Sequence, residues 1–288
     1  MYAIAGVSGQ TGAAVADALL AADEKIRVIV RRPEAGAVWA ARGAEVAVAD
    51  LADVAALSAA LRGSAGAFLL NPPAYAVADP FAAAVRQGEV FAAAIAASSV
   101  PRVVVLSSIG AQHPSGSGII QTTHSVEQAL RATATPVAFL RAAYFVENWA
   151  NVLPAVRSDG VLPSFLAPLE RAFPMVAVAD IGAAAAELLR GPAWQARRVV
   201  ELAGPSEVTP AQVAAAFGQA LGHPVSALAV PREQWSGILA AAGFSPRLIE
   251  AFVAMYDGIL SGHVAAEPGN EHRRGRTPIE DSVRGLLG

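Results

Sequence analysis

Tyr2-Ala3-Ile4-Ala5-Gly6-Val7-Ser8-Gly9-Gln10-Thr11-Gly12 follows the first methionine and joins a strand to a helix through a glycine-rich turn. The apolar run Ala3–Ala5 predicts a short strand buried on both faces, and the Ala/Leu-rich stretch Gln10–Leu20 behind it has helical spacing. Between them the glycines fall as G-x-x-G-x-x-G. Glycine at these positions permits a tight turn, close approach of the backbone to a pyrophosphate, and close packing of helix on strand, while the helix N-terminus attracts negative charge. An ordinary strand-to-helix turn needs one glycine. Three on one spacing favour a dinucleotide cradle made of Gly6, Ser8, Gly9, Gln10, Thr11 and Gly12.

The same two periods alternate through the first half. Apolar runs recur at Ile26–Val30, Glu45–Ala49, Ala67–Leu70, Val103–Leu106 and Val137–Leu140, with helical stretches at Pro33–Arg42, Val54–Leu61, Pro80–Ala97 and Gln121–Ala132. That is a doubly wound α/β protein, a Rossmann-like parallel sheet of about six strands with helices on both faces. The second half is less regular: a helix over Tyr144–Val156, a strand at Phe173–Ala177, a helix over Asp180–Leu189 and a strand at Arg198–Leu202. Thr209-Pro210-Ala211-Gln212 has a capping-box pattern with proline at the first helical position, and Thr277-Pro278-Ile279-Glu280 repeats it. With no Ser/Gly-rich linker, we expect a nucleotide-binding part over 1–143 and a smaller α/β substrate-cleft part over 144–288 packed on the sheet edge, its strands free to join that sheet.

Composition narrows the chemistry. Of 288 residues 54% are hydrophobic and 16% charged, against a usual charged share of roughly 25%, so the chain can bury a large core. There is no cysteine, which removes thiol nucleophiles, disulfides and thiolate metal sites. Lys25 is the single lysine, read here as a solvated strand edge, so a Schiff-base or phosphate-loop lysine has no other source. A net charge of -3 without long basic runs argues against nucleic acid. The scattered histidines lack paired carboxylates, so no metal is expected, and Arg273-Arg274-Gly275-Arg276 reads as a solvated loop. His113 falls in the Gly/Ser/Pro-rich loop Gly110–Gly118, a cover for the site or simply a mobile loop. No apolar run reaches the ~18 residues of a membrane span and no secretory pattern opens the chain; the expectation is a cytoplasmic protein without membrane contact.

The other strand ends converge on the glycine turn. A site for NAD(H) places an acid after the second strand to hold the ribose hydroxyls, whereas arginine pairs with a 2′-phosphate. Here Arg31-Arg32 follows that strand and no acid comes before Glu34, so NADP(H) is favoured, with Arg31 on the phosphate; a solvated basic pair is the other reading. Asp50-Leu51 after the third strand and Asn71-Pro72 after the fourth lie where open α/β sheets bind ligands, although both are also ordinary turn residues.

These motifs, with Phe68-Leu69-Leu70-Asn71-Pro72-Pro73, Leu106-Ser107-Ser108, Leu140-Arg141-Ala142-Ala143-Tyr144-Phe145-Val146-Glu147-Asn148, Val178-Ala179-Asp180-Ile181-Gly182 and Glu201-Leu202-Ala203-Gly204-Pro205, resemble the NmrA-like branch of atypical short-chain dehydrogenases. Within it the chain looks most like bacterial NAD(P)H-dependent quinone-reductase-like members, over nearly its whole length. The resemblance implies that the Thr122–Glu127 segment faces the nicotinamide, which makes His124 a proton donor or ribose ligand near neutral pH. It implies the position of the usual catalytic serine for Ser108, with Ser107 and Tyr144 beside the cofactor, and a substrate cleft bordered by Phe145 and Trp149. A partly exposed helix residue for His124, a strand-end hydrogen bond for Ser108 and core packing for the aromatics are the plainer alternatives.

One departure matters. Typical short-chain dehydrogenases use Tyr-x-x-x-Lys, and none of Tyr2, Tyr75, Tyr144 or Tyr256 has a lysine four residues on. The resemblance therefore implies hydride transfer from NADP(H) to a small-molecule acceptor, quinone-like or a small carbonyl or enone, without that pair. The rival is a non-catalytic sensor that reports the cofactor's redox state through a protein partner. An isomerase with tightly bound NAD is disfavoured by Arg31-Arg32, and a homodimer stays open.

Overall fold

Short, mostly apolar segments of four to six residues make the strands of the first half. In chain order they are β1 (Tyr2–Ala5), α1 (Gln10–Leu20), β2 (Ile26–Val30), α2 (Ala37–Ala40), β3 (Glu45–Val48), α3 (Val54–Leu61), β4 (Gly66–Leu70), α4 (Pro80–Ser98), β5 (Val103–Ser108), α5 (Gln121–Leu130) and β6 (Val137–Ala142). The computed structural model describes residues 1–73 and 75–288. Asp53 and Asp79 cap α3 and α4, each accepting two backbone N–H bonds from the first turn. The Pro33–Arg42 stretch is one 3-10 turn from Pro33 followed by the single turn α2, shorter than the expected helix.

The second half runs β7 (Tyr144–Phe145), α6 (Leu153–Asp159), β8 (Val161–Ser164), β9 (Phe173–Val176), α7 (Val178–Arg190), β10 (Arg198–Ala203), β11 (Glu207–Val208), α8 (Pro210–Leu221), β12 (Ser226–Ala229), α9 (Trp235–Ala241), α10 (Pro246–Ser261), β13 (Glu271–Arg274) and α11 (Ile279–Leu287). Tyr144–Val156 is not one helix. Tyr144 and Phe145 pair with Met175 and Val176, Val146–Val152 forms 3-10 turns, and Pro154 starts α6 because its ring blocks a helix arriving from the residues before it.

The main sheet has eight strands in the order β13-β10-β6-β5-β4-β1-β2-β3, with every neighbouring pair parallel. Its two outermost members on one side, β10 and β13, come from the second half. The arginine cluster is accordingly corrected in part: Arg273 and Arg274 belong to the strand β13 and not to a loop, and Arg273 is ion-paired, bonding Glu271 at 2.7 Å and lying 3.5 Å from Glu187, whereas Arg274 and Arg276 are solvent-exposed as expected. One face of the sheet packs on α1 and α7, where Gly182 lets the helices approach so closely that a Cβ would overlap the backbone of Ala14. The other face packs on α3, α4 and α5. A third cluster, from Val146 and Trp149 to Phe217 and Val283, forms the core of the cap beside the sheet. Thr209 and Gln212 make the expected capping box, whereas Thr277 gives its hydroxyl to Asp180 at 2.9 Å and α11 begins without a side-chain cap.

Candidate functional site

β1 lies between β2 and β4, so the chain winds outward in opposite senses on its two sides and leaves a crevice at the carboxyl ends of the strands. The glycine turn sits there. Gly6 has φ +75°, and a Cβ on it would come within 2.6 Å of Leu70 Cδ2. A Cβ on Gly12 would overlap the carbonyls of Gly6 and Ala5, so the packing of α1 on β1 itself demands this glycine. Gly9 differs: its Cβ would meet only the Gly6 carbonyl oxygen, at an ordinary 3.6 Å. The fold leaves the space over Gly9 open, which is a cradle that a side chain would fill. Ser8 and Gln10 are exposed beside it and Thr11 is buried, and the first turn of α1 carries neither a side-chain cap nor an acidic residue. That end suits a phosphate.

Along the edge, Arg31 and Arg32 follow β2, both exposed and without an ion-pair partner among the described residues. Asp50 closes a turn by accepting the Ala52 N–H at 2.9 Å, and the Leu51 carbonyl accepts from Gln87 Nε2 at 2.7 Å. Asn71 and Pro72 are half-buried after β4.

Beside this edge, between the ends of β4, β5 and β6 and the cap, lies a cavity of about 1340 Å³. Of the residues singled out from sequence it brings together Asn71, Ser107, Ser108, Tyr144, Phe145 and Trp149 in its wall. Gly6 to Gly12, Arg31, Asp50, Leu51, Pro72 and His124 lie outside that wall. The cap, together with Tyr75 from the segment between β4 and α4, contributes aromatic rings that sequence reading did not assign to the site. Tyr75 stands edge-on to Phe244 and Phe252, and Tyr256 edge-on to Phe165 with ring centres 5.1 Å apart. Phe252 and Tyr256 are four apart on α10, which puts both on one helix face. That spacing was the available signal.

The hydroxyls of Tyr144 and Tyr256 are 3.4 Å apart. Burial raises both phenol pKa values, Tyr144 well above the ordinary range, so both stay protonated and serve as hydrogen-bond donors. Ser108 donates to the Ile109 carbonyl at 2.9 Å, and Ser107 donates to Glu127 at 2.6 Å. His124 Nδ1 donates to the Ala111 carbonyl at 2.7 Å, which ties α5 to the loop after β5. His113 of that loop stacks on His263 at 4.0 Å, and burial lowers its pKa. Trp149 is 3% exposed and belongs to the cap core as well as to the cavity wall.

Behind the wall is a polar network that sequence reading missed. Arg141, fully buried on β6, binds Glu127 of α5 through two nitrogens and Glu267 at 2.9 Å. An arginine inside an otherwise apolar strand was its signal, since a buried guanidinium requires carboxylate partners. Among the described residues no three His, Asp or Glu side chains form a group fit for a metal ion, and no helix is long and apolar enough to cross a membrane.

Comparison with known proteins agrees with this geometry. The model of the NmrA-like family matches residues 2–259. The chain is 31% identical over 262 residues to the (4-alkanoyl-5-oxo-2,5-dihydrofuran-3-yl)methyl phosphate reductase of Streptomyces griseus subsp. griseus, over 88% of this chain and 85% of that one. It is 27% identical over 257 residues to the NAD(P)H azoreductase of Xenophilus azovorans, over 89% and 86% of the two chains. The NADPH-dependent quinone oxidoreductase of Escherichia coli, solved as its NADPH complex, superposes with a TM-score of 0.80 at 25% identity over 100% of both chains.

Proposed function

The chain belongs to the NmrA-like family, and from that premise we propose that it is an oxidoreductase that binds NADP(H) in preference to NAD(H) and reduces a quinone-like, enone or small carbonyl acceptor. The observation that carries this reading is the aromatic-walled cavity opening at the ends of β4, β5 and β6, beside a glycine turn shaped to hold a diphosphate. The reductase names of its relatives support the redox class.

The bound dinucleotide supplies the hydride. The protein's part is to bind, orient and exclude water. Gly9 and the first turn of α1 hold the diphosphate, Arg31 takes the 2′-phosphate, and Asp50, Leu51, Asn71 and Pro72 flank the adenosine and ribose. Ser107 and Tyr144 border the nicotinamide end, and Phe145 and Trp149 offer flat apolar surface to the acceptor. Lys25 stands at the amino end of β2, where its carbonyl accepts the Tyr2 N–H, on the sheet edge opposite the cavity. A lysine-assisted tyrosine is therefore not part of the mechanism. Ser108 is the hydroxyl nearest in kind to a catalytic serine, and His124, held by its Nδ1 bond to the Ala111 carbonyl, keeps Nε2 for a ribose hydroxyl or a proton.

A titration tests this. NADPH fluorescence should change on adding protein, and absorbance at 340 nm should then fall through many turnovers when quinones or small enones are added. Tight binding with no oxidation above the buffer rate would replace the reductase by a redox sensor that works through a protein partner.

A further inference from the structure

We propose that the Tyr144–Tyr256 hydroxyl pair is the oxygen-recognition subsite of the cavity, with Tyr256 donating the hydrogen bond to the acceptor's carbonyl oxygen. The identity of the ligand rests on the reductase reading; the subsite itself rests on geometry. The two phenols come from opposite sides of the cavity, Tyr144 from β7 next to the sheet and Tyr256 from α10 in the cap, and meet at 3.4 Å. Tyr256 is held by an edge-on contact with Phe165 at 5.1 Å and another with Trp235 at 5.9 Å, so the ring is fixed where it lines the cavity. No other hydrogen-bond partner of the Tyr256 hydroxyl occurs among the described residues. Asn148 stands in the same cavity wall. With Tyr144 as the donor of this pair, the Tyr256 proton is its free end, available to whatever the cavity holds. Around it the wall is apolar and aromatic, which strengthens a hydrogen bond to an oxygen that gains charge.

The electron count is simple. The hydride carries two electrons to the acceptor, the carbonyl π pair moves onto oxygen, and the resulting oxyanion is stabilised by the Tyr256 O–H until it takes a proton from solvent as the product leaves. Because burial keeps both phenols protonated, Tyr256 stabilises the oxyanion without giving up its proton. This supplies in another way what the Tyr-x-x-x-Lys pair supplies in typical relatives.

The test uses two flat ligands of one shape, 1,4-naphthoquinone and naphthalene, titrated into the whole protein and followed by quenching of its tryptophan fluorescence. Wild type should prefer the quinone. Tyr256→Phe should lower that preference by about fivefold, the weight of one neutral hydrogen bond, with naphthalene affinity unchanged. Tyr144→Phe should lower it less, since it removes only the group that orients Tyr256. Thermal melts of both variants close to wild type show that the rings still pack. In steady state Tyr256→Phe should cut kcat/KM for naphthoquinone by about tenfold or more, because the bond is stronger to the charged oxygen. An equal preference in wild type and Tyr256→Phe, or none in wild type, overturns the subsite. A preference that depends on Tyr256 in a protein that never oxidises NADPH leaves the subsite standing and removes the reductase reading. Turnover with an unaltered preference does the reverse.

Discussion

Arg141 and Glu127 form a two-point ion pair, 2.9 Å from Nε and 2.8 Å from Nη2, with at most 1% of either side chain exposed. It is the hub behind the cavity wall. Ser107 adds a third bond to Glu127 at 2.6 Å, and Arg141 Nη1 reaches Glu267 at 2.9 Å. Glu201 on β10 accepts the Glu267 backbone N–H at 2.8 Å. Burial works against the Arg141 charge, but the Glu127 carboxylate overrides it and the guanidinium stays protonated. Four elements of the sheet side and the segment after α10 are thus tied at one point, so cavity wall and cap hold a fixed relation.

Breaking one side of such a pair strands the other charge. Glu127→Gln should destabilise the protein by about 3 to 5 kcal/mol, a large share of a typical total of about 5 to 15. Urea unfolding followed by fluorescence would show the midpoint drop. A midpoint within error of wild type would mean that the network contributes specificity and not stability.

Glu147 gives a pH dependence with a defined sign. Its Oε1 accepts the Val178 N–H at 2.9 Å and so caps α7, while Oε2 is buried without a partner. Burial raises its pKa above the ordinary carboxyl value, and nearby Asp180 pushes the same way. From about pH 4.5 up through the raised folded value, the folded state holds more protons than the unfolded one, so stability falls as pH rises. Glu147→Gln keeps the cap through its amide oxygen and removes the charge. Its melting temperature should decline less than that of wild type across this window. Parallel curves would show that Glu147 ionises normally in the fold.

The parallel sheet was legible because short, mostly apolar runs alternate with longer Ala/Leu-rich stretches of helical spacing, and the glycine turn because its spacing has few other uses. β13 was hidden. Glu271-His272-Arg273-Arg274 carries no hydrophobic signal, and it is a strand because β10 offers it a ladder and because Glu271 takes Arg198 and Arg273 as partners. Tyr144-Phe145 was hidden for a related reason: two residues cannot show a period, and only β9 makes them a strand. The cap half of the site depends on α9 and α10 folding back over the sheet edge, a long-range arrangement that leaves only the Phe252, Tyr256 spacing in the local sequence.

Arg31 tests the cofactor preference. It is exposed at the end of β2 with no carboxylate to compete for it among the described residues. A charge-assisted bond to a 2′-phosphate implies that Arg31→Ala weakens NADPH by about tenfold to a hundredfold and leaves NADH nearly unchanged. Parallel fluorescence titrations with the two dinucleotides measure the ratio. Equal losses would take the phosphate away from Arg31, and Arg32→Ala would then be the variant to compare.

The glycine turn separates folding from binding within three residues. Gly12 is required by the protein, since a Cβ there collides with backbone of β1 and the turn, and nothing can move aside without parting helix from strand. Gly12→Ala should therefore lower the melting temperature and the yield of folded protein before any ligand is added. Gly9 meets only one backbone atom, at 3.6 Å, and its φ of -112° suits any residue. Gly9→Ala should melt like wild type, yet bind NADPH about tenfold or more weakly, because its methyl group takes the space of a phosphate held against the first turn of α1. If Gly9→Ala binds as tightly as wild type, the diphosphate does not lie over Gly9, and the assignment of this turn as its cradle fails even though the fold is unchanged.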